Sequence, residues 1–173
     1  MIILALLGMV LANGQEVVDR IVADVDGQLV LMSDVAREAV LAEVDRSGTP
    51  FWDPTWRTPE DRLIDAAIVR TIASDVRLYE PSRQDVRRRL EAVRAQFPDR
   101  RSWRAFLDRI SADEARLEVI LRRRLVVDRY LGRNLLVDPG NADAFKDAAT
   151  LHLDRLRTIA RVRRVPPVPS STP

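Results

Sequence analysis

The stretch Val17–Val35, VVDRIVADVDGQLVLMSDV, decides how the rest of the chain must be arranged. Two apolar-rich runs flank Asp26-Gly27, and a two-residue Asp-Gly linker is a strong hairpin signal because a type I′ turn needs positive φ at both central positions. The turn sets a register. With Val25 opposite Gln28, Ala23 faces Val30 and Ile21 faces Met32, so one side of the ribbon reads Ile21, Ala23, Val25, Val30, Met32. An isolated hairpin is marginal in water, so this apolar side requires a cover from the helices that follow. Ser33-Asp34 marks the start of the first, Ser33 as a cap for free amides and Asp34 as a negative charge at the positive end of the helix dipole.

Outward from the hairpin, helical periods dominate. Val35, Ala39, Val40 and Val44 recur at helical spacing until Ser47-Gly48. The proline-rich segment around Phe51, Trp52 and Trp56 reads as a loop, whose aromatics either bind a partner or plug the core. Thr58-Pro59-Glu60-Asp61 opens a helix whose stripe Ile64, Ile68, Ile72, Val76, Tyr79 is widened by Leu63, Ala67, Val69 and Ala73, so it requires cover on both sides. Pro81-Ser82 opens the next, with Val86, Leu90, Val93 and Phe97 inward and Arg87, Arg88, Arg89 and Arg94 elsewhere. A short helix capped by Ser102 carries Trp103, Phe106, Leu107 and Ile110. Ser111 to Leu135 reads as one long helix with Asp113 and Glu114 in its first turn, and Arg124 and Asp128 form an inward-facing i, i+4 pair. After Asp138-Pro139-Gly140-Asn141, a last helix carries Phe145, Ala149, His152 and Leu156. Ile159–Val165 loses helical period and reads as a strand beside the hairpin, completing a three-stranded antiparallel patch.

The expected fold is therefore mainly α (α+β): an irregular multi-helix module with a small antiparallel sheet made from both ends of the chain. Its 173 residues, 46% hydrophobic and 31% charged, suit one domain with a real core. The apolar, uncharged residues 1–14 are too short to cross a bilayer and read as a signal peptide, the alternative being a buried N-terminal strand or helix. Residues 15–165 form the domain, and the proline-rich residues 166–173 a disordered tail.

Composition restricts function. Without cysteine there are no disulfides, thiol nucleophiles or thiolate metal sites. The single histidine, His152, has no second imidazole to share a metal and reads as a packed, hydrogen-bonded residue. No nucleophile–base spacing, phosphate loop or metalloprotease motif is present, so neither enzyme nor cofactor is expected. Lys plus Arg is 28 against 26 for Asp plus Glu. Arginine clusters stand at 87–89, 122–124 and 161–164, and because consecutive helical residues point about 100° apart a triplet is spread around its helix and no single basic stripe results, so nucleic acid is not the expected partner.

The hairpin, the SDV helix start and the ensuing order of helices over Glu16–Val137 resemble the N-terminal module of SurA-type periplasmic chaperones, and HLDRLRTIARVRRV resembles the segment that returns to complete that module. Proteins of that type commonly carry parvulin-type prolyl isomerase domains before the returning helix. Here the corresponding gap, Leu136–Asn141, is only a turn, and no parvulin active-site residue can be carried over. The resemblance implies an exported, ATP-independent holder of unfolded outer-membrane polypeptides in the periplasm, with no stable transmembrane segment. Met32, Trp52, Trp56, Trp103 and Phe106 are the candidate groove residues, large and adaptable side chains partly attached to loops. The alternatives are a dedicated assembly partner of one protein ligand, or a member of the isomerase family that retains only the non-catalytic module.

Overall fold

The computed structural model describes residues 19–166; the expected signal peptide and nearly all of the expected tail lie outside them. Strands β1 (Ile21–Val25) and β2 (Gln28–Leu31) form the hairpin, followed by helices α1 (Met32–Val44), α2 (Pro59–Ala73), α3 (Arg83–Arg94), α4 (Arg100–Arg109), α5 (Glu114–Asn134) and α6 (Ala142–Ile159), then β3 (Val162–Arg164). The sheet order is β2-β1-β3, antiparallel throughout, so the hairpin finds its third strand at the far end of the chain. Asp26 (φ 49°) and Gly27 (φ 84°) both take the positive φ that the tight turn requires. The junction is closed by Asp26 N donating to Arg161 O at 3.1 Å and Val165 N to Val22 O at 2.8 Å.

The hairpin register departs from the expected one at its open end. Val25 faces Gln28 and Ala23 faces Val30, but a bulge between Ile21 and Ala23 places Ile21 opposite Leu31. Bulged strands twist and turn neighbouring side chains out of alternation. Val22 is consequently buried beside Ala23, Val25 and Val30, while Ile21 and Met32 stand half-open at the edge. Met32 is also the first residue of α1, so Ser33 caps nothing; its hydroxyl donates to Asp19 instead.

Elsewhere the punctuation acts as its chemistry dictates. Thr58 Oγ1 accepts from Asp61 N at 3.1 Å, with Pro59 at the first helical position. Ser82 and Asp85 cap α3 reciprocally. Two caps differ from expectation: Asp99, not Ser102, caps α4, with Ser102 as its reciprocal partner, and Asp113 caps α5 from outside its first turn. In each case the aspartate is the residue with extended backbone at the helix boundary.

Helix α2 is the central element. Ile64, Ala67 and Ile68 pack against the sheet, while Ala66, Val69 and Ala73 face a second cluster that includes Phe51, Trp52, Val127, Leu131, Phe145 and Leu153. A third cluster joins Leu41, Val93, Trp103, Phe106, Leu117 and Leu121. The expected stripe breaks near the end of the helix: Ile72 and Val76 are exposed, while Tyr79 packs half-buried against the second cluster. The return of α6 and β3 is tied to α2 by charge: Arg157 Nε donates to Asp65 at 2.6 Å, and Arg164 to Glu60 at 2.8 Å and Asp61 at 2.6 Å.

Candidate functional site

Six ionisable side chains form one connected ionic layer between the helices. Glu38 and Asp45 come from α1 and its end, Arg62 from α2, Arg89 from α3, and Arg124 and Asp128 from α5. Arg124, only 2% exposed, donates to both Glu38 oxygens at 2.7 and 2.9 Å and to Asp45 Oδ2 at 2.7 Å. Arg62, fully buried, donates to Glu38 Oε1 at 3.0 Å, and Arg89 Nη2 to Asp45 Oδ2 at 2.9 Å. Asp128 accepts from Thr49 N at 3.1 Å, Thr49 Oγ1 at 2.6 Å and Trp52 Nε1 at 2.9 Å, with Arg89 Nη1 at 3.5 Å.

The expected Arg124–Asp128 pair therefore does not form, because each residue finds better partners on other helices. Arg89 was expected to face away from the apolar stripe of α3; it turns inward because Asp45 and Asp128 await it. With three cations and three acids the group is neutral in sum, which is the condition for keeping so much charge out of water. Burial by itself pushes the Asp45 carboxyl up, but Arg124 and Arg89 outweigh it and hold the group below its ordinary value. For Asp128 burial prevails over Arg89 and Thr49, and its carboxyl is raised.

Gly48 belongs to the same construction. A Cβ there would lie 2.7 Å from Trp52 Cδ1 and closer still to Arg89 Nη2. Gly48, three residues beyond the Asp45 cap of α1, thus leaves the space in which Arg89, Trp52 and Asp128 meet.

This ionic layer forms part of the floor of a cleft between β2, α1, α2 and α5. Leu29, Leu63 and Ile120 supply apolar wall, and Arg37, Arg70 and Arg123 supply charge. Arg37 is neutralised by Asp34 at 2.6 Å. Arg70 is half-buried and, among the described residues, hydrogen-bonds only to a neutral acceptor, Gln28 Oε1 at 3.2 Å. Its removal from water, with Arg123 nearby, lowers the Arg70 guanidinium to about 10, so it remains charged at neutral pH.

Of the candidate groove residues, Met32 stands at the surface and is 36% exposed. Trp52, Trp103 and Phe106 are buried in the core, at 4%, 4% and 5% exposure, and of the three Trp52 also lines the cleft. Trp52 is a plug held by Asp128 and lying under the Arg124 guanidinium, 4.1 Å from its ring centroid. Trp103 stacks on Phe106 at 5.5 Å, and its indole donates to Glu114 at 2.7 Å. Trp56 is half-buried against Phe51, centroids 5.9 Å apart. Being large and aromatic is what core packing also selects, so the residue-type criterion found the core as readily as a surface. Arg70 was missed, although a lone cation inside the apolar run Ile64–Ala73 was a usable signal. His152 is half-buried and hydrogen-bonded to the Tyr130 hydroxyl at 3.1 Å. No cluster of metal-ligating side chains exists among the described residues, and no described helix is long and apolar enough to cross a membrane.

Scanned against models of known families the chain matches none, and searches of curated proteins and of solved structures likewise gave no significant match.

Proposed function

We propose that this chain is an exported, ATP-independent chaperone-like protein that holds unfolded outer-membrane polypeptides through a module of the SurA N-terminal type. The observation that carries the reading is the pairing of β3 with β1, which returns the end of the chain to the hairpin and closes the intervening helices into one body. The cleft between β2 and the α1, α2 and α5 helices supplies the second requirement, an apolar wall beside arginines. Apolar surface captures side chains of an unfolded segment without demanding one sequence, and arginine adds interactions with carboxylates and carbonyl groups. The connection between α5 and α6 is residues 135–141, a span that accommodates a turn. The proposed activity is accordingly binding without prolyl isomerisation.

The test is suppression of aggregation of several unrelated unfolded outer-membrane proteins by near-stoichiometric purified chain. Protection of all of them is expected. Protection of only one would transfer the assignment to a dedicated assembly partner, and protection of none would overturn the proposal. Prolyl-peptide turnover above background would overturn the non-catalytic part.

A further inference from the structure

The cleft beside Leu29, Leu63 and Ile120 does not end at Arg70 and Arg123. The same two arginines line a second depression between α2 and α5, walled by Ala73, Val76 and Val126 and flanked by Arg77. The two depressions share these arginines, and taken together they make a path that is partly apolar on each side and cationic where they meet.

The charges along that path are unequal. Asp34 is taken by Arg37 at 2.6 Å, Glu38 by Arg124 at 2.7 Å, and Glu80 lies 3.8 Å from Arg122. Among the described residues, Arg70, Arg77 and Arg123 have no carboxylate within the 4.0 Å of an ion pair. Arg70 is half-buried, and Asp34, which is paired with Arg37, offsets only part of its desolvation, so a bound carboxylate would relieve the remainder. Its fork of donors is shaped for that group.

We propose that this path binds an extended polypeptide segment by an internal aspartate or glutamate side chain placed between Arg70 and Arg123, with apolar neighbours seated in the depressions on either side. The inference rests on the polypeptide-holding reading above and specifies which segments the site selects. A depression lies on either side of the two arginines, so a ligand that fills both must continue past them. That favours an internal acidic side chain over a terminal carboxylate. Successive side chains of an extended segment point to opposite faces, so the acid and the two apolar anchors occupy alternate positions, as in Leu-x-Glu-x-Leu.

The experiment titrates the purified chain with three fluorescent peptides and follows anisotropy. The first, acetylated and amidated, holds Leu-x-Glu-x-Leu internally; the second replaces Glu by Gln; the third is the Gln peptide with a free terminal carboxylate. The Glu peptide is expected to bind about ten-fold tighter than the Gln peptide, as for a charge-assisted hydrogen bond. R123Q, at an exposed position outside the buried core, is expected to remove most of that difference between the Glu and Gln peptides. Equal binding of the first two peptides, or preference for the third alone, overturns the proposal. If aggregation of clients is still suppressed while charge makes no difference, only this inference falls. Loss of both peptide binding and aggregation suppression removes the broader reading as well.

Discussion

Replacing Arg124 by methionine tests whether the buried ionic layer holds the helices together. The substitution keeps an unbranched side chain of similar reach but removes three charge-assisted hydrogen bonds, to Glu38 at 2.7 and 2.9 Å and to Asp45 at 2.7 Å. Two cations then face three acids. Glu38 keeps Arg62 and Asp45 keeps Arg89, so neither is wholly orphaned, and the loss belongs near the lower end of the range for a broken buried pair, about 3 kcal/mol. With a urea m-value of about 2 kcal/mol/M, the midpoint moves down by about 1.5 M. Trp52, which the Arg124 guanidinium covers at 4.1 Å, reports the transition by fluorescence. The double variant E38M/R124M restores balance, leaving Arg62 and Arg89 against Asp45 and Asp128, and Arg62 retains backbone acceptors at Asp53 and Arg57. It is therefore expected to be more stable than the sum of the two single losses by at least about 1 kcal/mol. A loss under about 1 kcal/mol for R124M, or strict additivity in the double variant, would mean that the layer is no stronger than a surface ion pair and does not hold the helices together.

Three further outcomes follow from the geometry. G48A forces a methyl against Trp52 and Arg89 and should cost about 1–3 kcal/mol in urea unfolding, with the Trp52 emission altered in the folded state. Burial, followed by Arg155, lowers the His152 pKa from its ordinary 6.5. The unfolded chain then takes up the proton first, so this contribution is full above pH 6.5, falls as pH drops below that value and is lost through the lower folded-state pKa. The urea midpoint measured between pH 7.5 and 5.5 should decline less in H152Q than in the parent. Deleting residues 161–173 uncovers the β1 edge and removes the Arg164 contacts to Glu60 and Asp61; amide exchange in Ala23–Val25 should accelerate, while that in the α3–α5 region changes less.

Local chemistry was sufficient wherever a structural decision involves neighbours in sequence. Asp26-Gly27 sets its turn because few other pairs tolerate two positive φ angles, and the Thr58 and Ser82 caps lie within three residues of the amides they serve. The apolar side of β1 followed from alternation, and its third strand followed from needing a partner. Alternation failed at Val22, where a bulge depends on how β1 meets both β2 and the start of α1. The site was hardest to read, since residue type alone does not distinguish a buried aromatic from an exposed one. Arg89 looks like its exposed neighbours Arg87 and Arg88 until Asp45 and Asp128 arrive from other helices.

The amino-acid order by itself determined the hairpin, most helix boundaries and the meeting of the two ends, because period, turn chemistry and capping act over a few residues. Which charges go inside, and where a partly apolar cleft remains, depends on how the helices pack. Glu38 and Arg124 are 86 positions apart in the chain, and the free energy of burying either depends on the other being present.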